Sequence, residues 1–385
     1  MTTRRSFLAS GIATGAAALG LAFAPRIAVA QAATRRRFVF IIQRGAADGL
    51  ATLAPVGDPA FAGQRGVLVQ DFAGAARIDG MFALHPALAQ IGQLYAQRQA
   101  LFVHAVASPY RDRSHFDGQN VLETGGAGAY RLRDGWVNRL LGLIPAADAR
   151  ALAVAATIPM ALRGSRDVSS YAPSNLPDAS QDLLSRVSTL YQTDRQLHGL
   201  WEQAMATRAM AGDAAAIGQN GAATGALAAR LLSGDTGARI AMIETGGWDT
   251  HAQQRGRLAA QLRGLDALVG ALKTGLGAEW DNTLVLVATE FGRTVKVNGT
   301  GGTDHGTASM AMLIGGRVRG GSVVADWPGL GDAALYEGRD LRPTTEMDAL
   351  ISGAMAEHYR IDAARTMATL FPETPQARAV SGLVA

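Results

Sequence analysis

The apolar run Phe38-Val39-Phe40-Ile41-Ile42 constrains the fold more than any other stretch of the chain. A strand without a polar position has no face to offer water, so it belongs inside a sheet covered on both sides. Comparable runs follow at 100–106, 151–156, 238–244, 282–289 and 309–314, with a shorter one at 322–325. Between them lie stretches of helical spacing at 85–97, 136–144, 180–210, 252–273 and 344–359. Strands alternating with helices predict an α/β fold with a doubly wound, mainly parallel sheet. The stretch 180–210 reads as one long amphipathic helix, set between a polar loop at 173–178 and a small-residue connection at 212–225. We read 175–222 as a helical insertion over the functional loops, within a single domain spanning 31–385.

Charge excludes one class of function. The 385 residues carry 36 Lys+Arg against 32 Asp+Glu, and three of the arginines (Arg4, Arg5, Arg26) fall in the first thirty residues, which hold no acid. Taking those three from 36 leaves 33 against 32, which is close to neutral. Only Lys273 and Lys296 represent lysine, so no basic patch supports nucleic-acid binding. The N-terminus instead reads as an address. Thr3-Arg4-Arg5-Ser6-Phe7-Leu8 has the twin-arginine pattern, an apolar Gly/Ala-rich segment runs from 9 to 24, and Ala28-Val29-Ala30 is a cleavage site. We therefore expect recognition by the twin-arginine export machinery, cleavage after Ala30, and a periplasmic protein with no stable membrane anchor. That route carries folded proteins, often with a cofactor already loaded. The chain has no cysteine, so its core alone must stabilise it.

Chemistry gathers where the apolar runs end. The first run leads into Arg44-Gly45-Ala46-Ala47-Asp48-Gly49, which reads equally as a simple turn or as a loop with a functional acid. The run 238–244 leads into Gly246-Gly247-Trp248-Asp249-Thr250-His251. The run 282–289 leads to Glu290, then a Gly-rich excursion closing on Asp304-His305 before the next strand. Carboxylates and imidazoles on separate strand ends suit a divalent cation at the rim of an open sheet. After the second run, Ser114 and His115 stand at a helix start. Ser114 with Asp117 reads as a capping box, or Ser114 as a nucleophile where helix N–H groups favour an anion. Thr345 with Asp348 is expected to cap the last long helix. No G-x-S-x-G elbow, phosphate-loop lysine, H-E-x-x-H or dinucleotide fingerprint is present.

These motifs together resemble one family over essentially the whole mature chain. RRSFL, GAADGL after the first strand, LHPAL, SHFDGQNVLETG, GGWDTHAQQ, TEFGRT and GTDHGTASMAMLIGG look like the twin-arginine-exported domain-of-unknown-function family fifteen-oh-one. That family is similar to the alkaline phosphatase-like superfamily, which includes sulfatases and cofactor-independent phosphoglycerate mutase. The resemblance implies an α/β/α sandwich of the alkaline phosphatase-like type with one or two divalent ions, Zn, Mn or Ca, at the strand ends. On it, Asp48 matches a metal aspartate and Ser114 the nucleophile. Asp249 and His251 match the first metal site, at a shorter spacing than the superfamily uses. Glu290 matches the aspartate of A-D-H-G, with Phe291 where a histidine ligand stands. His305 matches the later histidine, or Asp304-His305 forms the D-H pair.

The sequence thus leads to an exported metal-dependent hydrolase of phosphate, sulfate or related esters, acting on a small anionic substrate. Asp249, His251 and His305 would bind one ion; Asp48 and Glu290 would hold a weaker second. Ser114 and His115 would serve catalysis, and Arg44 or Arg293 would pair with substrate oxygens. The alternative is a degenerate periplasmic member that binds a ligand or a protein without turnover.

Overall fold

The computed structural model describes residues 35–172, 179–211 and 220–385. The expected export signal, the loop at 173–178 and most of the connection at 212–225 lie outside the described residues.

The first apolar run is β1 (Arg37–Gln43), and every residue in it is buried. It lies between two parallel neighbours, β5 (Ile240–Thr245) and β6 (Thr283–Ala288). Beyond β5 come β3 (Ala151–Val154) and β4 (Val168–Ser170). Beyond β6 come β7 (Ser309–Ile314), β2 (Ala100–Ala107) and the short β8 (Val323–Val324), while β9 (Thr345–Glu346) also pairs with β2. The nine-stranded order is therefore β8-β2-β7-β6-β1-β5-β3-β4, with β9 beside β2.

Successive side chains of β1 enter opposite cores, as the pleat requires. Phe38, Phe40 and Ile42 face one layer with α3 (Trp136–Leu141), α8 (Met347–Tyr359) and α9 (Ala363–Leu370). Val39 and Ile41 face the other, with α1 (Ala89–Ala96), α6 (Gly221–Leu232) and α7 (Gln254–Leu276). An α/β fold with helices on both faces of a mostly parallel sheet results.

The sheet is mainly parallel, as expected, with one exception: β7 runs antiparallel to both β6 and β2. A parallel partner would need a crossover helix, and the irregular excursion after Ala288 returns straight to the adjacent position. The stretch 180–210 is two helices, α4 (Gln181–Tyr191) and α5 (Arg195–Ala211), because Asp194 starts a new one by accepting from Leu197 N–H at 2.9 Å. Likewise Asn220 caps α6, so that helix begins inside the expected connection. α5 packs at the β4 edge, where Gln203 Nε2 donates to Ser169 Oγ at 2.8 Å, and against α6.

Neither expected capping pair forms. Ser114 and Glu346 occupy the N-cap positions of α2 (His115–Thr124) and α8 with no side-chain capping bond. The partner acids are engaged elsewhere, Asp117 by the Tyr130 hydroxyl and Asp348 by Thr374 Oγ1 at 2.8 Å.

Candidate metal centre

The C-terminal ends of β5, β1 and β6 lie side by side and release their loops on one rim. Glycines let those loops close on each other. Gly45 adopts φ +118° with its α-carbon against Asp249, where a β-carbon would stand 2.6 Å from the Asp249 nitrogen. Gly302 packs on the His251 backbone, leaving 2.3 Å to a β-carbon. Both positions require close backbone approach, which is why these loops are glycine-rich.

Asp249 is the hub of the cluster. Its Oδ1 lies 2.9 Å from His251 Nε2, 3.3 Å from His305 Nε2 and 2.7 Å from Arg293 Nη1, while Oδ2 lies 3.6 Å from His115 Nε2. His251 Nε2 and His305 Nε2 are 3.1 Å apart. His115, Asp249 and His305 can each turn one ligand atom to a common point, with those atoms within 4.8 Å of one another.

The outer nitrogen of each imidazole is held by an acceptor. His115 Nδ1 donates to Glu290 Oε1 at 2.8 Å, and His305 Nδ1 to the Arg113 carbonyl at 2.9 Å. His251 Nδ1 faces Asp304 Oδ1 at 3.2 Å. Arg113 sits in the left-handed region, φ +61°, a strained conformation of the kind that gathers at functional sites. Holding Nδ1 from behind fixes the tautomer and leaves Nε2 as the inward donor, which is how proteins orient metal-binding histidines. His115 Nε2 is buried with no hydrogen-bond partner. That orphaned atom, facing a carboxylate beside two further Nε2 atoms, fits a cation.

The charges follow from these contacts. Burial would raise the Glu290 carboxyl, but hydrogen bonds from His115, Gln119 and the Gly45 N–H outweigh it and hold it low. The same bond raises His115, partly offset by burial. Burial lowers His305, favouring its neutral, ligand-competent form. Asp249 is held below the ordinary carboxylate range because Arg293 overcomes burial, and Asp304 because Asn298 and His251 do.

The structure redistributes the residues expected from sequence. Asp249, His251 and His305 meet, and His115 joins them as an inward donor. Glu290 does not reach the centre: its buried Oε1 takes the Gly45 N–H, Gln119 Nε2 and His115, and its Oε2 lies 3.1 Å from Thr289 Oγ1. It orients His115, as Asp304 orients His251. Asp48 is displaced altogether. It is fully buried, paired with Arg65, accepts from Gln254 Nε2 at 2.6 Å and caps the turn at Ala51. Arg44 is bound to Glu123, Glu244 and Gln119, and Arg293 to Asp249 and Thr303, so neither guanidinium is free for a substrate. Ser114 adjoins His115, and its N–H is held by the Tyr110 hydroxyl at 3.0 Å.

Phe291 explains how an imidazole can be missing from its own strand end. Its ring stacks on His115, 5.2 Å between centroids, and packs against His305 at 5.3 Å. The histidine comes from α2 instead, and the phenyl ring wedges it into place. Sequence reasoning missed Gln119 and the Arg113 carbonyl. A glutamine one helical turn after His115 was the available sign of the first; nothing in the sequence marks a carbonyl.

The molecule is thus an α/β protein with a histidine–carboxylate cluster at the C-terminal rim of its parallel strands. Residues 35–371 match the family described as protein of unknown function (DUF1501), and the chain belongs to that family. No curated protein matches it in sequence. Among solved structures it is similar to the C-terminal periplasmic domain of EptC from Escherichia coli in complex with Zn, at 8% identity and TM-score 0.35, covering 74% of each chain. It is also similar to Ps i-CgsB in complex with k-i-k-neocarrahexaose, at 10% identity and TM-score 0.38, covering 90% of this chain and 77% of that one. A Bacteroides thetaiotaomicron protein of glycosaminoglycan metabolism, BT33494S-sulf, matches at 9% identity and TM-score 0.35, covering 76% and 69%.

Proposed function

We propose that this protein is an exported, metal-dependent hydrolase of phosphate, sulfate or related esters. The observation that carries the metal reading is the common orientation of three imidazoles, each held at Nδ1 from outside with Nε2 turned toward Asp249. His115, Asp249, His251 and His305 would hold the ion. Three nitrogens and one carboxylate suit Zn or Mn better than Ca, which prefers oxygen alone. When bound, such a cation supplies Lewis acidity, polarising an ester oxygen and acidifying a nearby hydroxyl or water.

The remaining work falls to the chain. Glu290 keeps the His115 proton on Nδ1, and the Arg113 carbonyl does the same for His305. Arg293 keeps Asp249 ionised and fixes its direction. Ser114, at the N-terminus of α2, offers a hydroxyl where backbone N–H groups stabilise developing negative charge. Attack by water on phosphorus or sulfur would break the ester bond, pass the nucleophile's proton to the departing alcohol and release phosphate or sulfate; attack by the Ser114 hydroxyl would release the alcohol in the same way and leave the group on Ser114 Oγ, from which a second attack by water would free it.

The test is turnover of a panel of aryl phosphate and sulfate monoesters by metal-replete protein. Activity that is abolished by chelation, restored by Zn or Mn, and reduced about 100-fold or more in Ser114→Ala supports the reading with Ser114 as nucleophile. Chelation-sensitive activity unchanged in Ser114→Ala assigns attack to water. No turnover on any ester by the loaded protein contradicts the hydrolase. One observation favours a second reading, a binding protein on the same scaffold: Arg44 and Arg293 are committed to carboxylates, so neither can hold a transferred group.

Among the described residues no helix is long and apolar enough to cross a membrane. Periplasmic residence after cleavage at Ala30 is part of the proposal and rests on the twin-arginine segment.

A further inference from the structure

A cleft of about 540 Å³ opens on the outer side of α2. Its lining includes Phe116, Gln119, Tyr130, Arg133 and Arg163, with Glu123 on its floor. Two of these link it to the cluster. Phe116 follows His115 directly, and Gln119 donates to the Glu290 oxygen that holds His115.

Two features of the cleft are costly to the folded chain and find no use within it. Phe116 and Tyr130 are 81% and 65% exposed, an unusual placement for two aromatic rings flanking one opening. Tyr130 is also held at φ +62°, the left-handed region that a bulky side chain rarely adopts. α2 keeps it there: Asn120 Oδ1 accepts from the Tyr130 N–H at 2.7 Å, and Asp117 takes its hydroxyl. Strain of this kind persists where the surroundings enforce it for a purpose.

The other wall is cationic. Arg133 and Arg163 are exposed, and neither has a carboxylate partner among the described residues. Arg163 spends only its Nε, on the Ile158 carbonyl at 2.9 Å. The acid below them is engaged from the other side, since Glu123 takes the Ala161 N–H and shares Arg44 with Glu244. The cleft therefore presents two flat apolar faces and two uncompensated guanidinium groups, which match a ring bearing an anion.

We propose that this cleft is a subsite for the alcohol portion of the substrate, and that this portion is a ring carrying its own negative charge. The placement beside the cluster rests on the ester-hydrolase reading above; the binding chemistry of the cleft does not. The ring could be aromatic or a saccharide, and the two are separated by the choice of probe.

The experiment measures direct binding of 4-hydroxybenzoate and of glucuronate to the mature protein by calorimetry, without turnover. Variants are Arg133→Gln, Tyr130→Gly and, as control, His305→Ala. Glycine adopts the Tyr130 backbone conformation without strain, so a stable Tyr130→Gly protein that binds poorly reports the ring itself. Binding of either probe, weakened about fivefold or more in both cleft variants and unchanged in His305→Ala, supports the proposal and identifies the ring type. Binding of neither probe overturns it, as does binding lost in His305→Ala and retained in the cleft variants. Cleft binding without any turnover would leave the subsite standing and remove the hydrolase.

Discussion

His115 and Glu290 show how a single contact assigns two roles that sequence alone runs together. Both follow apolar runs, and both carry groups that bind metals. Only the geometry separates them, because the acid is sealed under four donors while the imidazole keeps an unpaired Nε2. Glu290→Gln keeps the size and can leave His115 in the wrong tautomer. Metal affinity is expected to fall about 10–100-fold with the fold intact, as titration with a chelator competitor would measure. Equal affinity would place Glu290 outside the metal's support. Asp48 teaches the opposite lesson. Its position after a strand is the same as that of a ligand, but Arg65 returns to it from outside any motif. Arg65→Leu leaves a buried carboxylate without its partner and should cost about 3–5 kcal/mol in denaturant unfolding. A loss under about 1 kcal/mol would mean that Gln254 suffices to hold Asp48.

At the scale of elements, the long buried strands were plain, β4 and β9 went unread, and strand direction was not encoded. Fully buried runs such as 309–314 are apolar on both faces, so nothing in them encodes polarity. The direction of β7 is set by its return from β6 without a crossover helix. The seat of the insertion was unreadable for a related reason. An amphipathic pattern shows that α5 has a surface to bury and says nothing of which surface receives it. The loops were readable as a site, and their glycines as turns. Their further role is close packing, which depends on a partner far away in sequence. Gly302→Ala tests that role, since a methyl there meets the His251 carbonyl region at 2.3 Å. Overpacking should cost about 1–3 kcal/mol and displace His251, weakening metal binding in parallel with stability. A stable protein with weakened metal binding would separate the two effects, and no change in either would show that the loops can part without consequence.

The whole molecule should carry a pH signature from side chains buried beneath the sheet. Burial pushes His104 down to about 4 and His358 to about 3, so both are neutral in the fold. Their folded values lie below the unfolded one, so the stability they contribute is present above about pH 6.5 and is lost as pH falls toward 4. Asp348 acts oppositely. Burial raises it to about 7, so its contribution is present below its unfolded value, about 3.9, and is lost as pH rises through 7. Asp348→Asn should therefore steepen the gain in melting temperature between pH 4 and 7. An unchanged profile would mean that Asp348 is ionised within the fold. The architecture itself was legible from alternation, because a sheet with two covered faces leaves its signature in each fully buried strand; the short, partly exposed β4 and β9 carry none. The centre was legible as a set of residue types at strand ends. Which nitrogen faces inward was not, since that is decided by acceptors on other loops.

The central claim is that the inward-turned histidines hold a metal ion. The decisive measurement is metal content of the natively purified, signal-cleaved protein by elemental analysis, beside His115→Ala and His305→Ala. The account predicts about one Zn or Mn per chain, lost in both variants while their folds remain intact. No metal in the native protein, even after loading, would contradict it, as would a stoichiometry that survives both substitutions.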